Sequence, residues 1–150
     1  MAADGLHDVG EEWAQKNTFR QDQITRDTTV EVLLYDDTAD ALADSDDIGD
    51  ITTEPTTGNY SRQTLTLDSS DFSLTVQGGD LRVQGTPSFD VTGTTESVDA
   101  WAAVVDFLSD VVNAERSQNP HLISSAAFAT GSRDLGEIDT LNINVNLTLD

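Results

Sequence analysis

The sequence predicts a mainly β fold: an antiparallel β-sandwich or jelly-roll-like domain with a short N-terminal helix. Three observations carry this. From residue 60 onward, apolar residues alternate with polar ones, the period of a strand with one buried face. Seven or eight such short segments are separated by turn-rich stretches, the spacing of sandwich and jelly-roll folds. The 19 threonines suit exposed strand faces. A chain of 150 residues fits one domain and can bury a core without a metal or disulfide.

Residues 5–20 read as a short amphipathic helix, with Leu6, Val9 and Trp13 at helical spacing and Glu11 and Glu12 between them. Asp4 is the candidate N-cap, and Gly10 weakens the pattern. This divides the chain into an N-terminal helix and arm, residues 1–27, and a sandwich domain, residues 28–150. TTVEVLLY, residues 28–35, is rich in β-branched and aromatic types and reads as a strand. Residues 36–50 are acidic and turn-rich, with a helical turn at 39–43, and ITTEPTTGNY follows as a loop.

YSRQTLTL then places Tyr60, Arg62, Thr64 and Thr66 on one face, with Gln63, Leu65 and Leu67 on the other. DFSLTV puts Phe72, Leu74 and Val76 together, and Gln77-Gly78-Gly79-Asp80 is a hairpin signal. LRVQG and PSFDVTG continue the pattern. TLNINVNLTLD, at the end, alternates most cleanly of all. Residues 97–112 fit both periods. Trp101, Val104, Val105, Leu108, Val111 and Val112 suit a helix, whereas Trp101, Ala103, Val105 and Phe107 suit a strand. Residues 113–120 read as a loop and 122–130 as another strand.

Charge separates the function classes. Asp and Glu total 28, Lys and Arg total 7, and the net charge is −21. The acids are spread along the chain, and Lys16 is the single lysine. Such a charge opposes compaction in dilute buffer and is screened in multimolar salt, where the Debye length is about 3 Å or less. The pattern therefore predicts a protein adapted to brine that unfolds or dissociates on dilution. It argues against nucleic acid and anionic membrane as partners, since both need clustered Lys and Arg. Met1–Gly10 has neither the basic nor the apolar stretch of a secretory leader, and no apolar run approaches a membrane span. The sequence predicts a protein that stays in the cytoplasm or leaves inside a particle.

The chemistry-bearing residues are sparse. There is no Cys, and His7 and His121 are the two histidines. Both read as surface or hydrogen-bonded side chains, and no Gly-x-Ser-x-Gly elbow accompanies them. With 28 acids, close carboxylate pairs carry little information about hydrolysis. Residues 44–50 superficially match a calcium loop, but the fifth position is Ile48 and the twelfth is Pro55, so it fails as an EF-hand. No cofactor is expected, and weak cation binding by surface carboxylates is left open. Trp13 suits an interface anchor, and Trp101 suits either an interface or the core. Glu-Pro-x-x-Gly, residues 54–58, is explained by a turn: Pro55 fixes φ and Gly58 permits a positive one.

The segment Ile51-Thr52-Thr53-Glu54-Pro55-Thr56-Thr57-Gly58-Asn59-Tyr60-Ser61-Arg62 resembles a T-E-P-x-x-G-x-Y-x-R pattern of small β-sandwich virion proteins of tailed viruses. Before it stands a strand ending in an acidic turn, Leu33-Leu34-Tyr35-Asp36-Asp37-Thr38. After it come Val104-Val105-Asp106-Phe107 and the closing alternation of residues 139–149. Together with the acidic composition, residues 28–150 resemble head-surface decoration or turret proteins of haloarchaeal tailed viruses. The charged stretch 109–120 and the N-terminal helix depart from that pattern.

The resemblance implies a jelly-roll-like fold, self-association into a homo-oligomer and docking on the major capsid protein or other virion proteins. It shifts residues 98–107 toward strand. It also implies a virion location, with assembly in the host cytoplasm. The expected function is structural rather than enzymatic. Candidate interface residues are Leu6, Val9, Trp13, Glu54, Pro55, Tyr60, Arg62, Arg116 and His121. The alternatives are a tail or neck protein, a cell-surface or carbohydrate-binding module, and a hydrolase using two carboxylates.

Overall fold

The computed structural model describes residues 5–19, 29–77, 80–105 and 121–147. In chain order the elements are β1 (Gly5–Leu6), α1 (Asp8–Phe19), β2 (Thr29–Tyr35), α2 (Asp37–Asp40), β3 (Gln63–Thr66), β4 (Phe72–Gln77) and β5 (Asp80–Gly85). There follow β6 (Ser88–Asp90), β7 (Ser97–Val98), β8 (Ala100–Val105), β9 (His121–Ala127), β10 (Arg133–Asp134), β11 (Thr140–Asn142) and β12 (Val145–Leu147). Single 3-10 turns lie at Ile48–Asp50 and Leu135–Glu137. The fold is mainly β, with antiparallel sheets, and among the described residues the helix α1 and the single turn α2 complete it.

The central sheet has the order β1-β9-β8-β2-β3, and each of its pairings is antiparallel. Both of its faces are covered. Val30, Val32, Leu34, Trp101, Ala103 and Val105 point into a core shared with Phe72, Phe89 and Val145 of the smaller sheets. Leu33, Tyr35, Ala100, Ala102, Val104 and Leu122 point into a second core closed by Leu42, Ile48 and Ile51. A strand buried on both faces loses its apolar–polar alternation. That is why AWAAVV fits two periods in the sequence, yet forms the fully buried strand β8. The rest of the ambiguous stretch, residues 106–112, lies outside the described residues, as does Arg116.

The N-terminus differs from the expected helix and arm. The helix starts at Asp8, and Leu6 instead belongs to β1, where it pairs with Ser124 of β9. Val9 packs into the shared core, and Leu6 is buried. The described part of residues 1–27 is thus built into the same core as the sheets. The candidate cap Asp4 lies outside the described residues. Gly10 permits the close approach of helix to sheet: a Cβ there would sit 2.0 Å from the Ile123 carbonyl oxygen. Ile123 itself falls at a bulge, because Ala103 pairs with Ser124 while Val104 pairs with Leu122.

The helical turn expected at 39–43 comes earlier. The Asp36 side chain caps α2 by accepting from the Ala39 N–H, and Ala41 ends it with a φ of 51°. The closing alternation forms two strands, β11 on β6 and β12 on β5, yet they share one register. Asn142 pairs with Ser88 and Val145 with Gly85, so Thr86 and Pro87 fall opposite the gap. Proline has no N–H for the ladder. The Ile143 N–H still reaches the Pro87 carbonyl at 3.3 Å.

Candidate functional site

The resemblance-bearing segment 51–62 has no regular structure, and its polar groups lock it to β2. Glu54 receives both arms of Arg62, from Nε at 2.8 Å and Nη2 at 2.7 Å. A planar guanidinium and a carboxylate match in this bidentate way, so the pair fixes orientation as well as distance. The Tyr60 hydroxyl donates to Glu54 at 3.1 Å and accepts from the Leu34 N–H at 3.0 Å. β3 ends its pairing with β2 at Val32, so this hydroxyl takes a strand N–H beyond the last ladder pair. The Tyr60 ring stacks on Phe89, centroids 6.0 Å apart. Burial pushes the Tyr60 phenol above its ordinary pKa, and the Glu54 hydrogen bonds raise that of Arg62. Pro55 is buried beside them.

This geometry gives a direct test. Glu54→Ala should destabilise by about 2–3 kcal/mol, below the 3–5 kcal/mol typical of a fully buried pair because Arg62 can still reach water. Tyr60→Phe, which strands the Leu34 N–H, should cost about 1–3 kcal/mol. Denaturant unfolding at fixed multimolar salt, with the Glu54→Ala/Arg62→Ala double-mutant cycle, measures both. A coupling near zero would show that the Glu54–Arg62 pair does not hold the segment in place.

The tip of the same segment is tied down separately. Glu96 accepts the Thr57 hydroxyl, the Thr56 N–H at 2.9 Å and the Thr95 N–H at 3.0 Å. The Thr57 hydroxyl and Thr56 N–H hold its carboxyl down at about 2. Gly58 has a φ of +64°, and a Cβ there would lie 2.2 Å from the Thr94 nitrogen, so glycine is required on both counts.

Both histidines are buried, contrary to the surface reading. His121 is the first residue of β9, and its Nδ1 lies 2.8 Å from Asp47 Oδ2. Asp47 also accepts the Leu122 and Ile48 N–H groups, each at 2.8 Å. Burial raises the Asp47 carboxyl, but these donors outweigh it and hold the group below the usual range. The His7 ring is fully buried between the Asp44 carbonyl at 3.2 Å and Ser125 Oγ at 2.8 Å. A serine beside an imidazole has the make-up of a nucleophile and base. Here both are 0 % exposed, whereas a reacting atom needs room about 3 Å from each. The pair holds β1 and α1 onto β9.

Many aspartates have an unexpected use. Asp36, Asp40, Asp46, Asp47, Asp50, Asp68, Asp71, Asp90, Asp99 and Asp134 each accept a backbone N–H. Asp40 gathers the Thr52 and Thr53 hydroxyls and amides, which lower its pKa against a burial effect that raises it. The short Asp side chain reaches turn amides that Glu would overshoot. The loop 44–50 follows this pattern: Asp47 and Asp50 cap its 3-10 turn reciprocally. Among the described residues, no three side chains of metal-ligand type converge.

No protein-family model, curated protein or solved structure matches the chain. The candidate interface residues do not form one patch. Glu54, Tyr60 and Arg62 engage one another and β2, and Pro55 is buried in the same segment. Leu6 and Val9 are buried on β9, and half-buried Trp13 packs against the same core.

The described surface offers a different apolar feature. Leu74 and Val76 of β4 are 70 % and 73 % exposed. The three-stranded sheet runs β12-β5-β4, which leaves β4 at its edge. Its apolar face starts in the shared core at Phe72 and Val145 and continues outward to Leu74 and Val76. The alternation of DFSLTV was legible, but the hairpin outruns the core that would bury it. Among the described residues, no helix is long and apolar enough to cross a membrane.

Proposed function

We propose that the protein is a non-enzymatic structural component of a haloarchaeal tailed virus, most simply a decoration or turret protein on the head surface. Its fold on this reading is the jelly-roll-like sandwich that the virion-protein resemblance implies. The observation that carries an associating role is the apolar face of β4, open to solvent on an otherwise strongly acidic chain. Apolar area left open at a sheet edge favours contact with another surface. The composition and the segment 51–62 supply the viral and halophilic parts of the reading. Several groups that could do chemistry are engaged in holding the chain together, as in the Glu54–Arg62–Tyr60 cluster and the sealed His7–Ser125 pair.

Immunogold electron microscopy of particles from the source culture tests this. Label over heads is expected. Label confined to tails would replace decoration with a tail or neck role. Unlabelled particles beside labelled cells would overturn the virion reading in favour of a cellular binding module.

A further inference from the structure

We infer that β4 is a self-pairing edge: two copies of the chain join their three-stranded sheets antiparallel, β4 to β4, about a two-fold axis. The inference rests on the associating role proposed above and names its surface and partner. Gln77 faces Asp80 across a two-residue link, which makes them the hydrogen-bonded closing pair of the hairpin. Alternation then directs the backbone groups of Ser73 and Thr75 toward β5, and those of Leu74 and Val76 outward. Leu74 and Val76, whose backbone groups point outward, are also the exposed large apolar side chains of the strand. No described strand pairs with that side of β4.

Edge strands are usually blunted by Lys, Pro, charge or a bulge. FSLTVQ has no charge and no Pro, and its ladder to β5 is regular from Phe72 to Gln77. Charge selects the partner. A basic protein would be drawn to the carboxylates that cover the rest of the chain. A second copy also carries −21, so it is repelled except where neither surface is charged. Residues 72–79 are such a stretch, with Asp71 and Asp80 at its two ends.

Pairing centred on Thr75 sets Leu74 opposite the second copy's Val76, and the reverse. It uses the free amides and carbonyls of both, and it closes without leaving a repeat. One strand pair buries less than the roughly 1,200 Å² of a stable interface. The dimer should therefore be weak, dependent on brine, and useful where a lattice presents many copies.

Sedimentation equilibrium of the intact chain in multimolar KCl tests this. The mass should rise from 16.1 kDa toward twice that value with concentration. Leu74→Lys and Val76→Lys should each weaken the dimer at least about tenfold, with thermal unfolding of the monomer unchanged. Ser73→Lys, whose backbone faces β5, should leave it intact. Independently of any variant, amide exchange at Leu74 and Val76 should slow as wild-type concentration rises, while Thr75 stays constant. A wild type that remains at 16.1 kDa, or Lys variants that dimerise as well, would overturn the proposal. A monomer destabilised by Leu74→Lys would also overturn it, showing a face covered within the chain. None of these outcomes bears on where gold label falls on a particle.

Discussion

Gly10→Ala should destabilise the protein by about 3 kcal/mol, the upper range for overpacking. The melting temperature should fall by about 6–12 °C for a chain of this length. Helix propensity alone predicts the opposite sign, a gain of about 1 kcal/mol for Gly→Ala inside a helix. Geometry decides between them. An alanine Cβ would meet the Ile123 oxygen at 2.0 Å, its carbon at 2.8 Å and its Cα at 3.0 Å. All three are backbone atoms of β9, which is hydrogen-bonded to β8 on one side and β1 on the other. The carbonyl cannot tilt away freely either, because it accepts the His7 N–H at 2.9 Å. Relief requires lifting α1, which strips Val9 from the core and loosens the sealed His7 ring. Gln15→Ala, at an exposed position on the same helix, should stay within about 0.5 kcal/mol. Stabilisation by Gly10→Ala would refute the close approach.

The same glycine shows where sequence reading succeeds and stops. Val9 and Trp13 mark the buried face of α1 correctly, because helical period survives when one face is solvated. Leu6 fits that period by coincidence and belongs to a strand. Gly10 looks like a weak point until β9 is placed beneath it. In β4, β5 and β12 the period of two is readable. In β8 it vanishes, since Ala100, Ala102 and Val104 meet a second core that only the fold of residues 36–51 creates. The spacing Glu54-Pro55-x-x-Gly58 is enough to predict a turn. It cannot reveal that Tyr60 reaches the amide of Leu34, because that partner lies in another strand. Nor could Asp47 be singled out as the partner of His121 among so many aspartates. The signal available was local: His121 directly precedes the apolar run that became β9.

Diluting the salt from several molar to about 10 mM should unfold the protein, as the Debye length grows from about 3 Å or less to about 30 Å. The folded state concentrates a net charge of −21, and the whole stability of a domain this size is only about 5–15 kcal/mol. Far-ultraviolet circular dichroism and the fluorescence of buried Trp101 should report the loss at pH 7, with recovery on returning salt. An unchanged spectrum in dilute buffer would sink the halophilic reading. Acid separates repulsion from the hydrogen bonds that the carboxylates make. Glu96, held down at about 2, and Asp40 and Asp47, held below the usual range, bind protons less readily folded than unfolded. Their stabilisation is fully present above the unfolded value, about 4.3 for Glu, and for Glu96 it is lost as pH falls through about 2. In multimolar salt, where repulsion is screened, stability should therefore hold to about pH 4.3 and then decline. In dilute buffer the first protons bound also relieve self-repulsion, so acidification from pH 7 should at first stabilise the fold. A gain in stability on acidification from pH 7 in dilute buffer, absent in multimolar salt, would assign the salt effect to charge repulsion. Parallel slopes would assign it to something salt does to the apolar cores instead.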